Sequence, residues 1–121
     1  MKYIKTYETR RDPQVGDYVV FGEEFSLMPV PNNFKHNKES VGFMKSNIGK
    51  IVDIDTFTTD FTSYLIQYKY NYEEIPNSLA QKFFTQNGFP KSRWIIKDEI
   101  GHFSKRKKDL EIYTTAYKYN L

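Results

Sequence analysis

VGDYVVFG, residues Val15–Gly22, and NIGKIVDID, residues Asn47–Asp55, are the two stretches that carry the fold. Each is a glycine corner followed by β-branched and aromatic residues, the pattern of a strand entered through a tight turn. In the first, Gly16 permits the turn, Asp17 suits its corner, and Tyr18–Phe21 fit a pleated surface. The second predicts a strand over Ile48–Phe57, and Ser63–Tyr70 predicts a third. TTD, Thr58–Asp60, supplies the turn of a hairpin between these two. The third strand alternates, with Tyr64, Ile66, Tyr68 and Tyr70 on one face and Ser63, Gln67 and Lys69 on the other. Leu65 breaks that alternation and is expected to cover an edge. SRWIIKDEI, Ser92–Ile100, predicts a fourth strand with Trp94 in the core, and EIGHFS a short strand or turn after it.

Helical signals are few. Glu39–Lys45 reads as a short helix broken near Gly42, inside a long connection over Glu23–Ser46. Asn77 is placed to cap a helix over Ser78–Thr85, stopped by Asn87-Gly88 and Pro90. Ser104 is placed to cap a last helix over residues 105–119, in which Leu110, Tyr113 and Tyr117, with Ala116, form an apolar stripe. The expected organisation is a flexible arm over residues 1–14 and one domain over residues 15–121. Its class is mainly β (α+β): a small, strongly bent antiparallel sheet or barrel with short helices and a C-terminal helix. Gly16 and Gly49 fall where such a sheet must turn sharply.

Composition narrows the chemistry. The chain has 121 residues, 17% of them aromatic, with ten Tyr and ten Phe, which favours β-structure or an adhesive surface. Absence of cysteine excludes disulfides, thiolate zinc sites and cysteine nucleophiles. The opening MKYIKTYETRR lacks the apolar core of a secretory signal, and no run is long enough for a membrane span. His36 and His102 have no partner at ligand spacing, so no metal or other cofactor is expected. There is no phosphate-binding glycine loop and no nucleophile elbow. The acidic pairs Glu23/Glu24, Asp53/Asp55 and Glu73/Glu74 read as solvated surface rather than as catalytic dyads, which need unequal environments.

The pattern GDYVVF, IGKIVDID, YLIQY and RWII is similar to that of SH3-like barrels. The whole chain, including NIGKIV, HFSKRKKDLE and the terminal KYNL, resembles short proteins of large tailed bacteriophages and related viral genomes. That resemblance implies a place in the cytoplasm of a bacterial host. It assigns no functional residue. Small phage-encoded barrels of this shape include some that sequester nucleotide signals of host defence, so by analogy it implies capture of a host component.

Charge supplies the candidate site. The net charge is only +3, yet residues 91–108 hold seven cations against Asp98 and Glu99, a net of +5. Lys105, Arg106, Lys107 and Lys108 fall in the first turn of the expected helix, where the helix dipole favours anions over cations. Together with Lys91 and Arg93 they predict a receptor for negative charge, with Tyr18 and Tyr70 as stacking surfaces. The expected activity is non-enzymatic binding of an anionic small molecule of nucleotide type or of an acidic host protein. A nucleic-acid-binding accessory protein and a structural or assembly component of a virion remain as alternatives. A small barrel leaves edges and rings exposed, and a homo-oligomer is one way to cover them.

Overall fold

The structure, a computed structural model, describes residues 12–22, 38–56 and 62–119. Six strands form one antiparallel sheet: β1 (Tyr18–Phe21), β2 (Gly49–Asp55), β3 (Ser63–Gln67), β4 (Phe84–Gln86), β5 (Phe89–Ile96) and β6 (Ile100–Ser104). Their order is β4-β5-β3-β2-β1-β6, so the sheet is open, with β4 and β6 at its edges. Three α-helices accompany it: α1 (Lys38–Ser46), α2 (Asn77–Ala80) and α3 (Glu111–Tyr119). Single 3-10 turns cover Tyr72–Glu74, Lys97–Glu99 and Lys107–Leu110. The class is α+β and mainly β, with a C-terminal helix. The remainder of the expected arm, most of the 23–46 connection, the TTD turn and His36 lie outside the described residues.

One face of the sheet carries the main core. Val19 and Phe21 of β1, Ile51 of β2, Tyr64 and Ile66 of β3 and Ile95 of β5 bury there, covered by Met44 of α1. Tyr68, Leu79 and Phe83 extend that core beyond the end of β3. Register explains the grouping: Ile66 lies opposite Ile51, and Tyr64 opposite both Ile54 and Ile95, so these side chains share a face. Phe43 of α1 meets Tyr68 and Tyr70 edge-on, each at 5.5 Å between ring centroids, and Phe83 at 5.1 Å. Bulges interrupt the ladders at Val20/Phe21 and at Ile51/Asp53, and sharpen the local twist.

Several expectations need correction. Leu65 does not cover an edge: β3 is central, and Ser63, Tyr64, Leu65 and Ile66 are all buried. A strand covered on both faces loses the alternation that a half-buried strand shows. The third strand ends at Gln67, before Tyr68 and Tyr70. Trp94 is half-buried and lies outside the core cluster, because it pairs with Leu65 on the sheet's other face. The helix expected over Ser78–Thr85 stops at Ala80, and Asn77 is its first residue rather than its cap. Phe84–Gln86 is instead β4, turned back onto β5 through Asn87 (φ 51°) and Gly88 (φ 84°). Both residues are left-handed, as a two-residue hairpin turn of Asn-Gly requires. Gly49 is not at a corner; it opens β2 within the core.

The C-terminal helix also starts later than expected. Lys105 and Arg106 precede it, Lys107–Leu110 is a 3-10 turn, and α3 begins at Glu111. Its inward face is Leu110, Thr114 and Tyr117; Tyr113 and Ala116 of the expected stripe are exposed. α3 packs against α1, with Lys45 Nζ 5.6 Å from the Tyr117 ring centroid.

Helix α1 runs unbroken through Gly42. A Cβ there would meet the Tyr117 hydroxyl at 3.8 Å, an ordinary contact. Gly42→Ala is therefore expected to stabilise the protein by about 0.5–1 kcal/mol, since alanine restricts the unfolded chain and suits the helix. Chemical denaturation would show a higher midpoint at an unchanged slope; a lower midpoint would contradict the packing described for α1 and α3.

Candidate anion-binding strip at one end of the sheet

Direct cross-strand pairing aligns one residue from each of five strands. Ser92 (β5) lies opposite Gln67 (β3), Gln67 opposite Lys50 (β2), Lys50 opposite Tyr18 (β1), and Tyr18 opposite Ser104 (β6). Residues directly opposite share a face, so this row runs across the sheet on the side away from the main core. Four strand spacings separate its ends, about 19 Å at ~4.8 Å per strand. Ser92 is buried, Tyr18 and Gln67 are half-buried, and Lys50 is exposed. The Lys50 ammonium sits 5.7 Å from the Tyr18 ring centroid.

The basic turn lies at the Ser104 end. Lys105, Arg106, Lys107 and Lys108 are all exposed, and the 3-10 turn that carries the last two packs against β1 and β6. Ser104 holds this turn: its Oγ accepts from the Arg106 backbone N–H at 3.1 Å and donates to Asp109 Oδ2 at 2.7 Å. Asp109 Oδ1 is 3.8 Å from Arg106 Nε, so one carboxylate partly offsets the cluster. Leu110 is buried and pins the turn down. The cations therefore stand on a folded 3-10 turn ahead of α3, while Glu111 occupies the first turn of the helix proper.

A groove of about 860 Å³ lies at the other end of the row. Its apolar wall is Phe43, Tyr68 and Tyr70, and Gln67 connects it to the row. Lys69 and Lys91 bring positive charge to it and Glu74 negative charge. Gln67 Nε2 donates to the Pro90 carbonyl at 3.1 Å. Lys91 takes a left-handed backbone (φ 57°), donates from Nζ to the Tyr70 carbonyl, and places its ammonium 4.9 Å from the Tyr70 ring centroid. The Tyr70 hydroxyl donates to the Phe83 carbonyl at 3.4 Å.

Five of the six predicted cations thus stand in two places. Lys91 meets Tyr70 at the groove, and Lys105–Lys108 stand beside the strand that pairs with Tyr18. β3, β2 and β1 lie between β5 and β6. Arg93 belongs to neither group, for it pairs with Ile66 on the core side. Its Nη1 donates to the Lys82 carbonyl at 3.0 Å, and its guanidinium lies 6.0 Å from the Phe83 ring centroid. Burial lowers the Arg93 pKa, with Glu99 opposing. Lys50, Gln67 and Lys69 escaped the sequence pattern. Their only signal was polar residues in β2 and near the end of β3, which means little until register aligns them.

Other candidates play local roles. Asp53 accepts from its neighbour Ile54 N–H at 2.9 Å and from Asn87 Nδ2 at 2.8 Å, which ties the β4–β5 turn to β2. His102 stacks on Tyr113, ring centroids 3.7 Å apart and planes nearly parallel, and burial lowers its pKa. Among the described residues, no group of three His, Asp or Glu side chains could hold a metal ion. None of their helices is long and apolar enough to cross a membrane.

Tyr68 makes the groove's inner wall sensitive to alkali. Its hydroxyl is buried and has no hydrogen-bond partner among the described residues, and burial pushes its pKa well above the ordinary phenol value. The folded state thus holds this proton more tightly than the unfolded chain. Its contribution to stability is complete below about pH 10 and is lost as pH rises further. Burial pushes the Tyr64 pKa up as well. Tyr68→Phe is expected to leave stability at pH 7 unchanged or higher by up to about 1 kcal/mol, and to reduce its fall between about pH 9 and 11. Urea melts at about pH 7, 9 and 11 measure both, and an equal fall in the variant would mean that Tyr68 does not govern the alkaline limb.

No family model matches the chain, and comparison with curated proteins and with solved structures found no match.

Proposed function

We propose that the protein is a non-enzymatic binder of extended anions, a single-stranded nucleic acid lying along the strip from the basic turn past Tyr18 and Lys50 to the groove at Tyr70. The in-register row carries this reading, because Tyr18 and Lys50 on it stand between two groups of cations that do not gather round one pocket. A length of about 19 Å suits the lower end of the roughly 4–16 nucleotides that small β-barrel modules cover. Exposed lysines track a phosphate backbone without base preference, and tyrosine rings accept any base face. The register shifts in the β1–β6 and β2–β3 ladders, and the strong bend they imply, are the support for describing the sheet as SH3-like.

The groove favours a second reading, capture of a mononucleotide-type anion between Tyr70 and the lysines beside it, which keeps the expected sequestration of a host signal. Anisotropy of a labelled dT12 oligonucleotide separates the two. Strip binding predicts that log K falls with log salt at a slope of about −2 to −3, as three or four phosphate contacts on a single strand require. Lys50→Glu should weaken it about tenfold, whereas Lys38→Glu, at the start of α1 and outside the groove lining, should change it less than about twofold. No binding at about 50 mM salt, or full binding by Lys50→Glu, would refute the strip. A mononucleotide that displaces the oligonucleotide stoichiometrically would favour the groove.

A further inference from the structure

We infer that α3 is a self-association surface, through which two copies of this chain pair their C-terminal helices antiparallel about a two-fold axis. Ile112 is 69% exposed and Tyr119 86% exposed. With Thr115 and Ala116, both exposed, they recur at helical positions i, i+3, i+4 and i+7, on the side opposite the inward Thr114 and Tyr117. A helix that buries one face on α1 and presents a second apolar stripe outward lacks a cover for that stripe among the described residues. Thr115 and Ala116 at its centre are small enough for two backbones to approach closely.

Charge selects the occupant and its direction. Glu111 and Lys118 are seven residues apart, so they lie on the same flank of the stripe, one at each end. A two-fold axis brings the same flank of both helices together in opposite directions, which sets Glu111 of each copy against Lys118 of the other. A parallel pairing would lose both contacts and would crowd the two Lys105–Lys108 turns side by side. In the antiparallel arrangement those turns stand at opposite ends, each near the negative pole of the other helix. Nine residues make a helix only about 13 Å long, so the contact is small and the association weak, on the order of 100 µM.

Sedimentation equilibrium between about 10 µM and about 1 mM tests this, because the expected dissociation constant lies inside that window. The mean mass should climb from that of one 14.4 kDa chain towards twice that value. Ile112→Lys, at an exposed position, should keep the mass at one chain with unchanged circular dichroism. Lys118→Glu should weaken association by about fivefold or more, and Glu111→Lys/Lys118→Glu should restore it to within about twofold, since the exchanged charges still face each other. A single-chain mass at every concentration would overturn the inference. Equal association of Lys118→Glu and the double variant would overturn the antiparallel pairing, leaving a merely adhesive stripe.

Discussion

Gly49→Ala should lose at least about 3 kcal/mol of stability, a large share of the 5–15 kcal/mol that holds a typical domain folded. The added Cβ would lie 2.2 Å from Ile66 Cγ2, 2.9 Å from Tyr68 Cε1 and 3.0 Å from Tyr68 Cζ. Neither neighbour can retreat. Ile66 is fully buried in the central strand, and its β-branched χ1 is stiff. Tyr68 is wedged between the rings of Phe43 and Phe83, at 5.5 and 5.6 Å. The backbone of β2 would have to move, although it is paired to β1 on one side and β3 on the other. A fall in melting temperature of about 10 °C or more is expected. Because Ile66 supplies the closest contact, Gly49→Ala/Ile66→Ala should cost clearly less than the sum of the single changes. Additive losses would mean that the clash is not what destabilises Gly49→Ala.

Gly22→Ala is the second large effect, and here the obstacle is backbone. The Cβ would stand 2.5 Å from Gly101 Cα and 2.9 Å from Gly101 N, so no side-chain rotation relieves it. Two glycines cross where the β1–β6 register shifts, and the Gly22 N–H donates to the Glu99 carbonyl at 2.7 Å just beyond. Inserting a methyl group must part β6 from β1 at that point. A loss of about 2–3 kcal/mol is expected, concentrated at one edge of the sheet. Hydrogen exchange should accelerate at the β6 amides and remain slow in β3. Because β6 carries the basic turn to Tyr18, oligonucleotide affinity should fall as well, with the Lys50 contribution retained. Uniform acceleration through β3 would show that the edge does not open independently. Gly101→Ala should be milder, its nearest contact being Gly22 Cα at 2.9 Å.

Both effects arise from contacts between residues far apart in the chain, and that separates what could be foreseen from what could not. Tyr18–Phe21, the hairpin of the second and third strands, the short strand at EIGHFS and a C-terminal helix were legible in the sequence, because turn residues and local periodicity depend on neighbours a few positions away. Leu65, Trp94 and the inward face of α3 were misjudged because burial depends on what lies on the far side of an element, which periodicity does not report. β4 was missed although Asn87-Gly88 is a strong hairpin signal: its three residues are too few to show a period.

The candidate site divides in the same way. Residue type alone singled out Lys105–Lys108, Lys91 and the two tyrosines, since charge and ring are properties of single side chains. Their arrangement was decided only by strand order and register. Those brought Lys50 and Gln67 into line between two distant segments, turned Arg93 towards the core through the parity of a single residue, and separated the cations that sequence proximity had suggested were one cluster.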